Sequence, residues 1–123
     1  MAYIGHFLFK EKGVHKVKRK LTYDEALGIA KEFAQKVYSE LDSQAMIYLY
    51  GSMIKNQNHP SSDIDLAVIS KVFTDDVCNN YALVNFLAFN VDTSIDAQAI
   101  IYEDWVNKTP FTAEVEKQGV LIS

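Results

Sequence analysis

Two aspartates one residue apart, Asp63 and Asp65, interrupt an apolar run that continues as Leu66-Ala67-Val68-Ile69. On a β-strand, residues two apart face the same way. Like charges held that close repel, and removing them from water is unfavourable. A folded chain tolerates the arrangement best with a cation between the carboxylates. Their hard oxygen donors suit Mg²⁺ or Mn²⁺, and a site with open positions takes such an ion together with substrate phosphates. The plainer alternative leaves Asp63 at a strand start and Asp65 on an exposed edge, and the D-x-D pattern alone does not separate the two.

A second feature lies upstream. Gly51-Ser52 closes an apolar run, and ten residues, Met53 to Ser62, separate it from Asp63. Glycine lets backbone approach a phosphate closely, and the following amides and the Ser52 hydroxyl can donate to phosphate oxygens. Lys55 is the one Lys or Arg in that ten-residue stretch and could meet an anion there. A third carboxylate could come from Asp96 or Asp92. Asp96 is favoured because its apolar flanks place it inside a strand, whereas Asn90 to Thr93 reads as the turn before it. His59 in the loop reads as solvated, and Cys78 as a small core or near-surface residue on a helix.

The elements that must hold these groups alternate. Thr22-Tyr23-Asp24-Glu25 has the form of a capping box. From it, Ala26, Ala30, Phe33, Val37 and Leu41 recur at helical spacing to about Leu41. Ala45 to Tyr50 and Ile64 to Ile69 are short apolar runs that read as buried strands. Thr74 caps a helix to about Phe89, with Asp75 and Asp76 in its first turn. Ser94 to Tyr102 is a third strand, and Thr112 to Gln118 a short helix ending at Gly119. Val120-Leu121-Ile122 closes the chain as a last strand. Tyr102, Trp105 and Phe111 are expected to pack behind the sheet. The pattern predicts an α+β fold, one mixed sheet flanked by helices.

Composition narrows the function classes. The 123 residues are 49% hydrophobic and 23% charged, with 5 Gly and 2 Pro, which excludes a disordered or collagen-like chain. The length suits a single domain over 1–123, with 1–20 a basic N-terminal hairpin or arm and 21–123 the core. No apolar run approaches 18 residues, so no membrane span is expected. Met1 to Lys12 lacks the features of a signal peptide, and a lone cysteine excludes an internal disulfide, so the expected location is cytoplasmic. The net charge is -4, yet six of the 12 Lys and Arg fall between Lys10 and Lys20. Such an arm on an acidic body could attract nucleic acid. A solvated hairpin is favoured, because no aromatic residue interrupts the basic run.

Tyr48-Leu49-Tyr50-Gly51-Ser52, followed by Ser62-Asp63-Ile64-Asp65-Leu66-Ala67-Val68, resembles the signature of the nucleotidyltransferase superfamily with the DNA polymerase β-like fold. The likeness is closest to its minimal members. Ile95-Asp96-Ala97 is similar to the strand bearing the third carboxylate. Phe111 to Leu121 is similar to the helix, Gly-Val turn and strand that close such domains. The resemblance implies the nucleotidyltransferase fold, with Gly51, Ser52, Lys55 and Ser62 on the nucleotide and Asp63, Asp65 and Asp96 holding Mg²⁺ (or Mn²⁺). It implies ATP as donor, AMP transfer to a hydroxyl and loss of pyrophosphate, with Asp96 helping to deprotonate the acceptor. Met53, Ile54, Lys55 and Asn56 stand where the family commonly has Arg, a small residue, a basic residue and Gly. The small size implies an acceptor presented by another subunit or partner, with a small helical HEPN-type toxin silenced by AMP addition favoured over a small-molecule acceptor, and it leaves a homo-oligomer open. The alternative is a non-catalytic nucleotide- or partner-binding module.

Overall fold

The computed structural model describes residues 19–122. The basic arm therefore falls largely outside the described residues, and with it Lys10, Lys12, Lys16, Lys18, His6 and His15. Element order is α1 (Tyr23–Glu40), β1 (Met46–Tyr50), α2 (Ser52–Lys55), β2 (Ile64–Ser70), α3 (Val77–Phe89), β3 (Ile95–Ile101), α4 (Tyr102–Asn107), α5 (Pro110–Gln118) and β4 (Val120–Ile122). The fold is α+β, a four-stranded mixed sheet between helices, in the order β3-β2-β1-β4. β1 runs antiparallel to both β2 and β4, while β2 and β3 are parallel.

Local chemistry explains most boundaries. Thr22 caps α1 in a complete capping box: its hydroxyl accepts from the Glu25 amide, and the Glu25 carboxylate accepts from the Thr22 amide. Ala26, Ala30, Phe33, Ala34 and Val37 form the buried stripe of this helix. α3 begins later than expected. Its cap is Asp76, whose carboxylate accepts from the Asn79 amide, so Asp75 and Asp76 precede the helix instead of lying in its first turn. Thr74 is held outside by the buried Asn80, whose side chain bonds both its amide and its carbonyl. The four-residue α2 and the helix α4 were not foreseen. α4 starts at Tyr102 behind Ile101, which offers no side-chain cap, and ends at Lys108 in the left-handed region.

Period-two alternation splits the sheet into two faces. Ile47, Leu49, Ile64, Leu66, Val68, Ile95 and Ala97 face α1 and α3 in the larger core. Ala67, Ile69 and Ile100 face the other way, against Trp105 of α4 and Val115 of α5, with Met46, Tyr48 and Tyr50 alongside. Tyr48 packs on Trp105 with ring centroids 5.2 Å apart, and Tyr50 meets Phe111 edge-on at 5.5 Å. Trp105 is buried as expected, but Tyr102 and Phe111 stay exposed at 38% and 44%. Cys78 is exposed. Among the described residues, no helix is long and apolar enough to cross a membrane.

Candidate active site

The strand registers bring the predicted carboxylates together. Tyr50 of β1 pairs with Asp65 of β2, and Asp65 pairs with Asp96 of β3. The three residues form one row across the sheet, on the face that carries α4 and α5. Parallel strands lie about 4.8 Å apart, so Asp65 and Asp96 are direct neighbours. Asp63 lies one residue before β2 rather than inside it, and is exposed.

Electrostatics show what this row does to its members. Burial, then the carboxylates of Asp96 and Asp63, push the Asp65 carboxyl up from 3.8 to about 6. Burial first, with Asp65 and Asp96 behind it, likewise pushes the Tyr50 hydroxyl above its ordinary range. The site carries an excess of negative charge.

Glycine at position 51 is required by two constraints. Its φ is +79°, which L side chains rarely adopt, and a Cβ there would collide with the Asp65 carboxylate. The Gly-Ser turn is thus pressed against the acidic row. α2 begins at Ser52, and the amides of Ile54 and Lys55 bond back to the Gly51 carbonyl. A cleft of about 350 Å³ opens beside it, lined by Ser52, Asn56, His59, Pro60 and Ser61.

Ser61, not singled out from sequence, also approaches this turn. Its hydroxyl lies 3.5 Å from that of Ser52 and accepts from the Asp63 amide. Ser62, the residue expected to touch nucleotide, lies between Ser61 and Asp63 and does not line the cleft. Lys55 is exposed and drawn toward α5, its ammonium 3.8 Å from the Glu114 carboxylate. Asn85 was also missed. Its side chain accepts from the Ala97 amide at 3.2 Å and donates to the Ala97 carbonyl at 2.9 Å. It thereby ties α3 to the residue after Asp96, on what is an edge strand among the described residues. The available signal was a polar amide within an apolar helix, which spacing alone does not connect to a strand.

Asp92 belongs to a different structure. One of its oxygens accepts from the Ser94 amide and the other from Arg19, each at 2.8 Å. Burial would raise this carboxyl, but the Ser94 amide and Arg19 outweigh it and hold it below its ordinary value. It is a turn residue facing its own partners.

The family profile described as Polymerase beta, Nucleotidyltransferase matches residues 32–123. The chain belongs to this nucleotidyltransferase family. The match takes in the Gly51-Ser52 turn, all three carboxylates and the closing α5-β4 segment, and it supports nucleotidyl transfer as the general chemistry. No curated protein and no solved structure matches the chain.

Nucleotidyltransferase domains generally use a divalent metal with a nucleoside triphosphate. The donor set here fits that use: carboxylate oxygens in excess, one with its proton affinity raised by burial and by its acidic neighbours. Among the described residues, no group of three or more His, Cys, Asp or Glu side chains is already placed to hold a metal ion. An open site, which takes part of its coordination from substrate phosphates, needs no such preformed group.

Proposed function

We propose that the chain transfers a nucleoside monophosphate, AMP from ATP, to a hydroxyl on a partner protein. The observation that carries this reading is the in-register row Tyr50–Asp65–Asp96 pressed against the Gly51 turn. Asp63, Asp65 and Asp96 would hold Mg²⁺ or Mn²⁺. When bound, the metal supplies charge stabilisation to the α-phosphate as it changes partners. The Gly51-Ser52 turn, with Ser61, binds the β- and γ-phosphates. Asp96 receives the acceptor's proton, the acceptor oxygen bonds to the α-phosphorus, and the bond to the β-phosphate breaks to release pyrophosphate. Burial of Tyr50 beside the carboxylates favours its neutral, protonated form, which can donate a hydrogen bond into the row.

Asp96 is exposed on an edge strand, which suits an acceptor as bulky as a protein. The resemblance to minimal nucleotidyltransferases supports a HEPN-type helical toxin as that acceptor, with the chain as antitoxin. An exposed free thiol at Cys78 suits the reducing cytoplasm. A non-catalytic binding module is the second reading. It draws on the Lys55–Glu114 pair, which turns the loop's cation away from the cleft.

The test is transfer of label from α-labelled ATP, with Mg²⁺, in a lysate of the native host, comparing wild type with Asp63→Asn. A discrete labelled protein band, absent with the mutant, is expected. Label on RNA or small molecules would replace the acceptor, and no label with any nucleotide from the folded protein would favour the binding module.

A further inference from the structure

Among the described residues, those that line the cleft beside the Gly-Ser turn carry no Lys or Arg. Lys55 is the one Lys or Arg between Gly51 and Asp63, and it lies against Glu114 of α5. A triphosphate beside three carboxylates needs cations besides the metal, because the site's own charge repels it.

The segment before α1 is fastened to this rim at two points. Leu21 and Ser61 exchange both backbone hydrogen bonds, at 2.7 and 2.9 Å, as an antiparallel pair. Arg19 is ion-paired with Asp92 at 2.8 Å, in the turn that leads into β3. Lys20 lies between these two fastenings and is exposed. Antiparallel register from the Leu21–Ser61 pair places Lys20 opposite Ser62, directly before Asp63. The neighbouring Ser61 hydroxyl is the one that meets Ser52. A cation is thus held by backbone one residue from the partner of the cleft-lining Ser61, on a segment separate from the Met53–Ser62 loop.

We infer that Lys20, held opposite Ser62 by the Leu21–Ser61 pair and the Arg19–Asp92 ion pair, is a further phosphate-binding residue of the nucleotide site. It supplies the charge that the Met53–Ser62 loop lacks. The inference rests on the nucleotidyl-transfer reading, extending it to a residue that precedes Gly51 by 31 positions.

Calorimetric binding of α,β-methylene-ATP with Mg²⁺, which needs no turnover, separates the two. Lys20→Ala should weaken binding about fivefold to tenfold, as expected for one charge-assisted contact in a partly exposed site. Lys20→Glu should weaken it further, and Lys20→Arg should restore most of it. Adenosine, which lacks phosphates, should bind all variants alike, and Lys36→Ala on α1 should match wild type. Equal affinity of wild type and Lys20→Ala would overturn the role of Lys20 and leave the reading of the site standing. Absence of analogue binding by folded wild-type protein would overturn both.

Discussion

The Asp92 turn and the Asp65–Asp96 row lie at the same end of the sheet and treat their carboxylates in opposite ways. Asp92 is surrounded by donors, the Ser94 amide and the Arg19 guanidinium, and its proton affinity falls. Asp65 is half-buried against two further acids, and its proton affinity rises to about 6. A carboxylate that serves the fold is satisfied within the fold. On the proposed reading, Asp65 is left in repulsion that a bound metal would relieve. Proximity alone does not separate the two carboxylates; their partners do.

The largest expected effect comes from neutralising the row. Asp65→Asn should reduce nucleotidyl transfer by about a thousandfold, the rate equivalent of losing several kcal/mol of transition-state stabilisation. It should also raise the metal-free melting temperature, because the repulsion goes with the charge. A mutant with lower melting temperature and intact transfer would reverse the comparison.

Next is Gly51→Ala, which forces a side chain into a left-handed backbone and against Asp65. Stability should drop by about 2 kcal/mol and Mg²⁺-dependent nucleotide binding should be lost, by denaturant melts and calorimetry. At Asp92 the opposite pattern is expected. Asp92→Ala should lower stability by about 1 kcal/mol, some 4–8 °C in melting temperature. It should also leave catalytic turnover at saturating nucleotide close to wild type.

The smallest effects appear in pH titrations, and their signs differ. Because the folded-state value of Asp65 is raised, its unfavourable contribution is absent below the unfolded value near 4 and complete above about 6. Metal-free protein should therefore lose that increment of stability as pH rises through this window, and Mg²⁺ should restore it. Mg²⁺ affinity should weaken as pH falls below about 6, when protons compete for Asp65. Asp92, held low, contributes stability above its unfolded value and loses it as pH falls through its folded one. Melting curves from pH 4 to 7, with and without Mg²⁺, check both signs.

The sequence reveals the site better than it reveals its surroundings. Gly51-Ser52 and the alternation around Asp65 are legible because a charge inside an apolar strand has few benign explanations. Asp96 could be preferred over Asp92 from its flanks alone; the structure sets Asp96 beside Asp65 and gives Asp92 the Ser94 and Arg19 contacts. What was hidden depends on partners distant in the chain. Ser61 rather than Ser62 meets Ser52 because its backbone is paired with Leu21, forty residues earlier. Asn85 reaches Ala97 across the space between helix and strand. The start of α3 was misplaced because Thr74, Asp75 and Asp76 can all cap, and only the buried Asn80 decides among them. α4 lacks any side-chain cap to announce it.

Carboxyl ¹³C NMR titration of the aspartates, without and with Mg²⁺, tests the central contrast most directly. The account predicts that Asp65 titrates near pH 6 in the metal-free protein and falls well below that with Mg²⁺, while Asp92 stays low in both. An Asp65 that titrates at an ordinary carboxylate value, or that ignores Mg²⁺ in the folded protein, would contradict it.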